Sequence, residues 1–341
     1  MAKVLTFGEM MLRLHPSGYQ RIIQANQFDA NYGGAEANVA VSLSLLGDES
    51  EYLTKLPNNP LGTAALSELQ KYGVNTKNIL CGGPRLGIYY FEKGASIRST
   101  NVVYDRAGSS FAMATKSDFS WPKILKSTNY FYFSGITPAI STEIEESVFS
   151  ACQYCQKNGI KVICDLNYRG KMWTTHHAQC VMSKLMNYVD VCIANDEDFE
   201  ASLGIKAFDG NMKFGIDQKD NFKKGMYEIT KRYPNCHIVA SILRNIESVE
   251  TSQWTGLLLK DGHYYQSPIY DMHVMEGVAS GDAFGAGLVH GILHHFEPKN
   301  MINYAIAASV LKLTINGDFN LISDPEIRSI QDHGTGASMS R

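Results

Sequence analysis

The 341-residue sequence lacks several features that whole classes of protein depend on. No apolar run approaches the ~20 residues that a membrane-spanning helix needs. The start, Met1-Ala-Lys-Val-Leu-Thr-Phe-Gly8, has one lysine and then too short an apolar stretch for a secretory leader; it reads as a first strand. A basic surplus is missing too: 31 Lys and Arg against 34 Asp and Glu leave a net charge of −3. Nothing is left over to neutralise a phosphate backbone, so nucleic acid is not an expected partner. The seven cysteines are scattered and odd in number, which argues against a disulfide framework and for a reduced, cytoplasmic protein. Cys152 and Cys155 make a lone CxxC in a helical stretch without a second ligand pair, so buried thiols are expected there rather than zinc or redox chemistry. Two nucleotide signatures are absent as well. Without G-x-x-x-x-G-K-[ST] the chain is no P-loop kinase, and without G-x-G-x-x-G after the first strand a dinucleotide-binding dehydrogenase is disfavoured.

What the chain does have is alternation. Apolar, β-rich runs at 4–8, 52–55, 130–134, 162–165, 191–194, 238–242 and 256–259 are separated by amphipathic stretches such as 35–46, 61–72, 141–158 and 221–232. This predicts an α/β fold, a doubly wound, mainly parallel sheet with helices on both faces. Strand-like segments within about 10–34 and 85–106 have no helix between them and predict a small β lid. Open α/β sheets bind ligands at the carboxyl ends of their strands, where such a lid would close. The expectation is one domain over 1–330 and a flexible Gly/Ser-rich tail over 331–341.

The chemistry concentrates in a few stretches. Ala279-Ser280-Gly281-Asp282 enters a periodic helix, whose first amides are unpaired and attract an anion such as phosphate. Asp282 either caps that helix or takes a proton from an attacking hydroxyl. Gly33-Gly34 can bring backbone close to a ligand, or merely turn the chain into a helix ending at Gly47. Tyr89 and Tyr90 point to opposite faces of a strand, so one of them can line a pocket. Tyr104 and Arg106 share a face, as a carboxylate-reading pair or as a surface cation–π pair. Asp165-Leu-Asn-Tyr-Arg169 follows a buried strand; Asn167 can reach phosphates and Arg169 a carboxylate, or the polar residues simply turn the chain. Asn195-Asp-Glu-Asp198 suits Mg²⁺ and its waters, or an acidic helix start.

Taken in order, Gly8-Glu9, Gly33-Gly34…Asn38, Asp165-x-Asn-x-Arg169, Asn195-x-x-Asp198 and Gly281-Asp282-Ala-Phe-x-Ala-Gly287 resemble the ribokinase/PfkB family of sugar kinases over residues 1 to about 330. Within it, Gly8–Leu14, Gly33–Asn38, Tyr104-Asp-Arg106, Ser241-Ile-Leu-Arg244 and Gly317-Asp-Phe-Asn320 are most similar to the branch that phosphorylates 2-keto-3-deoxygluconate. The resemblance implies a ribokinase-like fold, ATP and Mg²⁺, and transfer to the primary hydroxyl of a sugar acid to give the 6-phosphate. By position, Asp282 would be the base, and the amides of Ala279, Ser280 and Gly281 the anion hole. Gly33, Gly34, Asn38, Tyr89 or Tyr90, Tyr104, Arg106, Arg169, Asp282 and Asp318 would meet the sugar acid. Asn167, Asn195, Ser241, Leu243, Arg244 and Gly281 would face ATP, and Asp198 would hold Mg²⁺, directly or through water. A monovalent cation such as K⁺ and a homo-oligomer through the lid are compatible with it. An ordinary aspartate should suffice as base, since positioning and charge stabilisation dominate phosphoryl transfer. The chain departs from the family's Gly-Ala-Gly-Asp at Ala279-Ser280; alanine fits if the backbone there needs no positive φ. It departs at Asp198, where the family carries Glu, and at Glu276-Gly277. The rivals are a sibling kinase for a neutral sugar or nucleoside, and a silent sugar-acid-binding regulator.

Overall fold

The computed structural model describes residues 2–334. Its main sheet runs in the order His263–Gln266, Thr251–Lys260, Ile238–Ile246, Val191–Ile193, Lys161–Asp165, Tyr130–Ser134, Lys3–Phe7, Glu49–Leu53, with Tyr270–His273 also paired to Thr251–Lys260. The six strands from Ile238–Ile246 to Glu49–Leu53 are parallel; the remaining strands join antiparallel at one edge. Lys3–Phe7 is buried at every position, as a central parallel strand covered on both faces must be. Side-chain alternation then divides the core in two. Val162, Cys164 and Val239 face helices Thr142–Asn158, Thr175–Leu185 and Lys219–Arg232. Ile163, Ile238 and Ala240 face Ala35–Leu45, Ser280–Leu293 and Pro298–Lys312.

Local signals explain where elements stop. Ser141 caps Thr142–Asn158 by accepting from the Ile144 N–H at 3.3 Å, and Gly159, at φ 70°, ends it. Cys152 and Cys155 are buried in that helix as free thiols, with burial pushing Cys152 well up and Cys155 to about 12. The strand expected at 52–55 sits earlier, at Glu49–Leu53, because Lys3 neutralises Glu51 and lets a charged residue be buried. The strands expected at 238–242 and 256–259 continue to Ile246 and back to Thr251 as a hairpin, whose polar outer half carries no apolar alternation. The terminal helix spans Asp324–His333, so residues 331–333 of the expected tail are helical; residues 335–341 lie outside the described part.

The lid is a four-stranded sheet ordered Asp29–Gly33, Met11–His15, Gly87–Glu92, Asn101–Asp105. It stands over the carboxyl ends of the parallel strands, since Gly8-Glu9 links Lys3–Phe7 directly into it.

Candidate active site

Asp165 ends one parallel strand, Asn195 follows the next, and Arg244 lies on the extension of the third. Helix Ser280–Leu293 aims its first turn into the same space. Its N-cap is Ala279, at φ 61° and ψ 15°, so the backbone there does need the left-handed conformation, against the condition set by the sequence. A Cβ in that region costs roughly 1–2 kcal/mol. Asn167 and Asp196 also hold positive φ and line the cleft, so strain gathers at this site. Gly281 has open space where a Cβ would be, leaving the first amides approachable.

Asp282 is buried, and Asn38 Nδ2 donates to its Oδ2 at 2.7 Å. The donor comes from a neighbouring helix, which favours a held base over a helix cap. Burial pushes the carboxyl to about 7, against the opposing pull of the Asn38 hydrogen bond. Asp282 therefore holds its proton more tightly than an exposed aspartate would.

On one side of Asp282 opens a cleft of about 770 Å³ lined by Asp165, Asn167, Asn195, Asp198, Arg244, Trp254 and Ser280 among others. Asn195 Oδ1 accepts from the Ile242 N–H at 2.7 Å, tying two strand ends together. Asp198 accepts from the N–H groups of Asn195 and Tyr168, at 2.8 Å each, and burial lifts it to about 6. Asp165 lines the cleft with Oδ1 buried and unpartnered, and burial, then Asp198 and Asp282, hold its carboxyl well above the usual range. Asp165, with one free oxygen, and Asp198 line the same cleft and offer oxygen donors of the kind a hard dication such as Mg²⁺ takes. Arg244 pairs with Asp196 and stacks 5.2 Å from the Trp254 ring; burial lowers it to about 10. Ser241 and Leu243 do not reach this cleft. Strand alternation sends Ile242 and Arg244 to it, while Ser241 is fully buried and Leu243 joins the core.

On the other side, under the lid, lies a cavity of about 580 Å³. Tyr89, Tyr104 and Arg106 line it, the two rings 6.0 Å apart and the guanidinium 5.8 Å from the Tyr104 ring. Tyr90 points away and packs edge-on against Phe28, so Tyr89 is the pocket tyrosine. Arg106 is held from behind by Glu9, through Nε at 2.8 Å and through Nη2. Asp318 lines the cavity, accepts from the Tyr89 hydroxyl, and pairs at 3.0 Å with the fully buried Arg13, which also meets Glu276 at 2.7 Å. Gly33 lies behind the wall: a Cβ there would collide with the Asp318 carboxylate. Gly34 lines the cavity, and a Cβ on it would strike the Glu9 carbonyl. Asn38 lines the cavity mainly as the partner of Asp282. Glu9, Arg13 and Glu276 were not singled out from the sequence as site residues. The available signal was a charge within strand Met11–His15, whose apolar neighbours predict burial and hence a counter-charge. Asn167, Arg169, Ala279 and Asp282 line both spaces.

A cleft fit for phosphates and a lidded cavity fit for a small polyol, meeting at a buried carboxylate on a helix N-terminus, define a small-molecule kinase of ribokinase-like fold. A model of the pfkB family of carbohydrate kinases matches residues 1–232. The chain belongs to that family. It is 44% identical, with a TM-score of 0.93, to a 2-dehydro-3-deoxygluconokinase from Thermotoga maritima, covering 97% of this chain and 99% of the other. A 2-dehydro-3-deoxygalactonokinase from Haloferax volcanii is 30% identical over 96% of both chains. A Xylella fastidiosa fructokinase with bound ATP, 18% identical with a TM-score of 0.75, covers 98% of this chain and 100% of its own and shares the fold. Among the described residues no helix is long and apolar enough to cross a membrane.

Proposed function

We propose that the protein is an ATP-dependent 2-keto-3-deoxygluconate kinase that forms the 6-phosphate. The observation that carries this reading is the place of Asp282 on the wall shared by the two cavities, next to a helix N-terminus. The 44% identity to a 2-dehydro-3-deoxygluconokinase supports the substrate. In the lidded cavity Tyr89 and Tyr104 offer phenols to the hydroxyls of the keto acid, and Arg106 and Arg169 face its carboxylate. Asp282 accepts the proton of the primary hydroxyl as it attacks. The amides at 279–281 and the helix N-terminus take up charge on the transferring phosphoryl group. Asn167, Asn195 and Arg244 bind the nucleotide side, and Asp165 and Asp198 would hold Mg²⁺, directly or through water, which would neutralise phosphate charge.

The test is ADP release with Mg-ATP and a panel of 2-keto-3-deoxygluconate, 2-keto-3-deoxygalactonate, gluconate, fructose, ribose and adenosine. Turnover is expected on the gluconate-derived keto acid and not on the neutral sugars or adenosine, with Arg169→Leu raising KM for the keto acid. Preference for a neutral sugar would discard the carboxylate-reading arginines and keep Asp282. Potassium titration of the same assay tests a monovalent cation near the anion hole. Exposed Ile23 and Val103 on the lid support pairing of two copies there, checked by sedimentation. Seven free thiols support a cytoplasmic setting.

A further inference from the structure

At the far end of the catalytic helix, away from both cavities, stands a group of side chains that the kinase reaction does not use. His290 and His294 lie one turn apart at the carboxyl end of Ser280–Leu293, and Asp48 directly precedes strand Glu49–Leu53. Asp48 Oδ2 is 2.8 Å from His290 Nδ1, and Asp48 Oδ1 is 2.8 Å from His294 Nε2. One ligand atom from each residue falls within 4.8 Å of the other two. The side chains of Asp48 and His290 are 4% exposed and that of His294 47%, so the group is fixed on its inner side and open to water on its outer side.

The geometry points to a binding site for a borderline divalent transition metal, such as Zn²⁺, formed by Asp48, His290 and His294. Two imidazoles and one carboxylate are the donor set such ions prefer, whereas Mg²⁺ favours oxygen alone. Three protein ligands leave a position for water on the His294 side. The negative end of the helix dipole and the Asp48 carboxylate both favour a cation there. His290 is oriented from behind as well. Its ring stacks on Tyr304 at 5.1 Å, and Asp324 Oδ1 lies 3.6 Å from its Nε2. Asp324 is itself held by the Tyr304 hydroxyl and by Arg328 Nε, at 2.8 Å each.

Without metal, His290 Nδ1–H and His294 Nε2–H donate to Asp48, since an ionised carboxylate only accepts. On binding, those nitrogens give their lone pairs to the metal. The protons shift to His290 Nε2, facing Asp324, and to His294 Nδ1, facing solvent. The bound ion would clamp the carboxyl end of the catalytic helix to the turn before the edge strand.

Equilibrium dialysis of the full chain against micromolar Zn²⁺ in excess Mg²⁺ tests the site. One Zn²⁺ retained per chain is expected, with binding weakened at least ~10-fold by His294→Ala and, separately, by Asp48→Asn. Co²⁺ in its place should give visible d–d absorption that both variants lose. His294 is half exposed and distant from the reaction, so turnover of His294→Ala in Mg-ATP, within about twofold of wild type, certifies its fold. Exposed Cys81 and Cys180 offer adventitious ligands. Zn²⁺ retained equally by both variants would assign it to such groups and overturn the site, as would failure of the wild-type chain to retain Zn²⁺ at all.

Discussion

At the residue scale the chemistry turns on how Asp282 is kept partly reluctant to ionise. Burial raises its carboxyl to about 7 and the Asn38 hydrogen bond restrains the rise. A base must be ionised, so kcat/KM should climb with pH through about 7; a profile flat down to about pH 5 would show the carboxyl to be unperturbed. Asn38→Ala removes the group that favours the charged form, so that limb should move to higher pH and turnover near neutrality should fall. Linkage gives the same residue a second signature. The folded pKa lies above the unfolded one, so the folded state holds the proton longer and stability falls as pH rises from the unfolded value through about 7. Asp282→Asn should therefore cut kcat by roughly 10²–10⁴-fold. It should also raise Tm, and by more at about pH 8 than at about pH 5. Loss of activity with loss of stability would mean that Asp282 is chiefly structural.

At the scale of elements, the first turn of Ser280–Leu293 departs most from what the sequence suggested. Glycine for alanine usually destabilises by roughly 0.5–1 kcal/mol through chain entropy. At Ala279 the left-handed backbone outweighs that cost, so Ala279→Gly should stabilise by roughly 0.5–1 kcal/mol in urea unfolding. Destabilisation would show that the helix starts in another conformation. In the lid, Gly33→Ala should displace Asp318 and raise KM for the keto acid, with KM for ATP unchanged as the readout of specificity. The parallel strands and the helices between them were legible because periodicity 2 and 3.6 report burial directly. So was the place of Gly34, and of the polar residues that end buried strands, along the two spaces, whereas Gly33 falls behind the wall. The hairpin Ile238–Ile246 with Thr251–Lys260 was not, because its outer half alternates nothing apolar. Nor was the pairing of Arg13 with Asp318 and Glu276, which joins residues some 260 to 305 apart and depends on how the lid seats against the chain's end. The φ of Ala279 was signalled only by the family's glycine at that position, since alanine itself gives no hint of a left-handed residue.

For the molecule as a whole, the decisive property is that two spaces of different chemistry share a single wall. The lidded cavity is held by a buried charge network that includes Glu9, Arg13, Glu276 and Asp318, and the open cleft by carboxylates and Arg244. Substitutions should therefore sort by side. Arg244→Ala should raise KM for ATP while leaving the keto acid's nearly unchanged, because Arg244 lines the cleft and not the lidded cavity. Arg106→Leu should do the reverse, but it also strands the Glu9 carboxylate, whose side chain is only 2% exposed. Breaking a buried pair from one side costs about 3–5 kcal/mol, which would confuse a binding defect with an unfolding one. Adding Glu9→Gln neutralises the stranded charge and should restore most of the lost Tm. If the double variant recovers stability yet keeps a high KM for the keto acid and a normal KM for ATP, Arg106 reads the substrate's carboxylate. If the keto-acid KM recovers together with Tm, the Arg106–Glu9 pair serves only to hold the lid in place, and carboxylate recognition passes to Arg169.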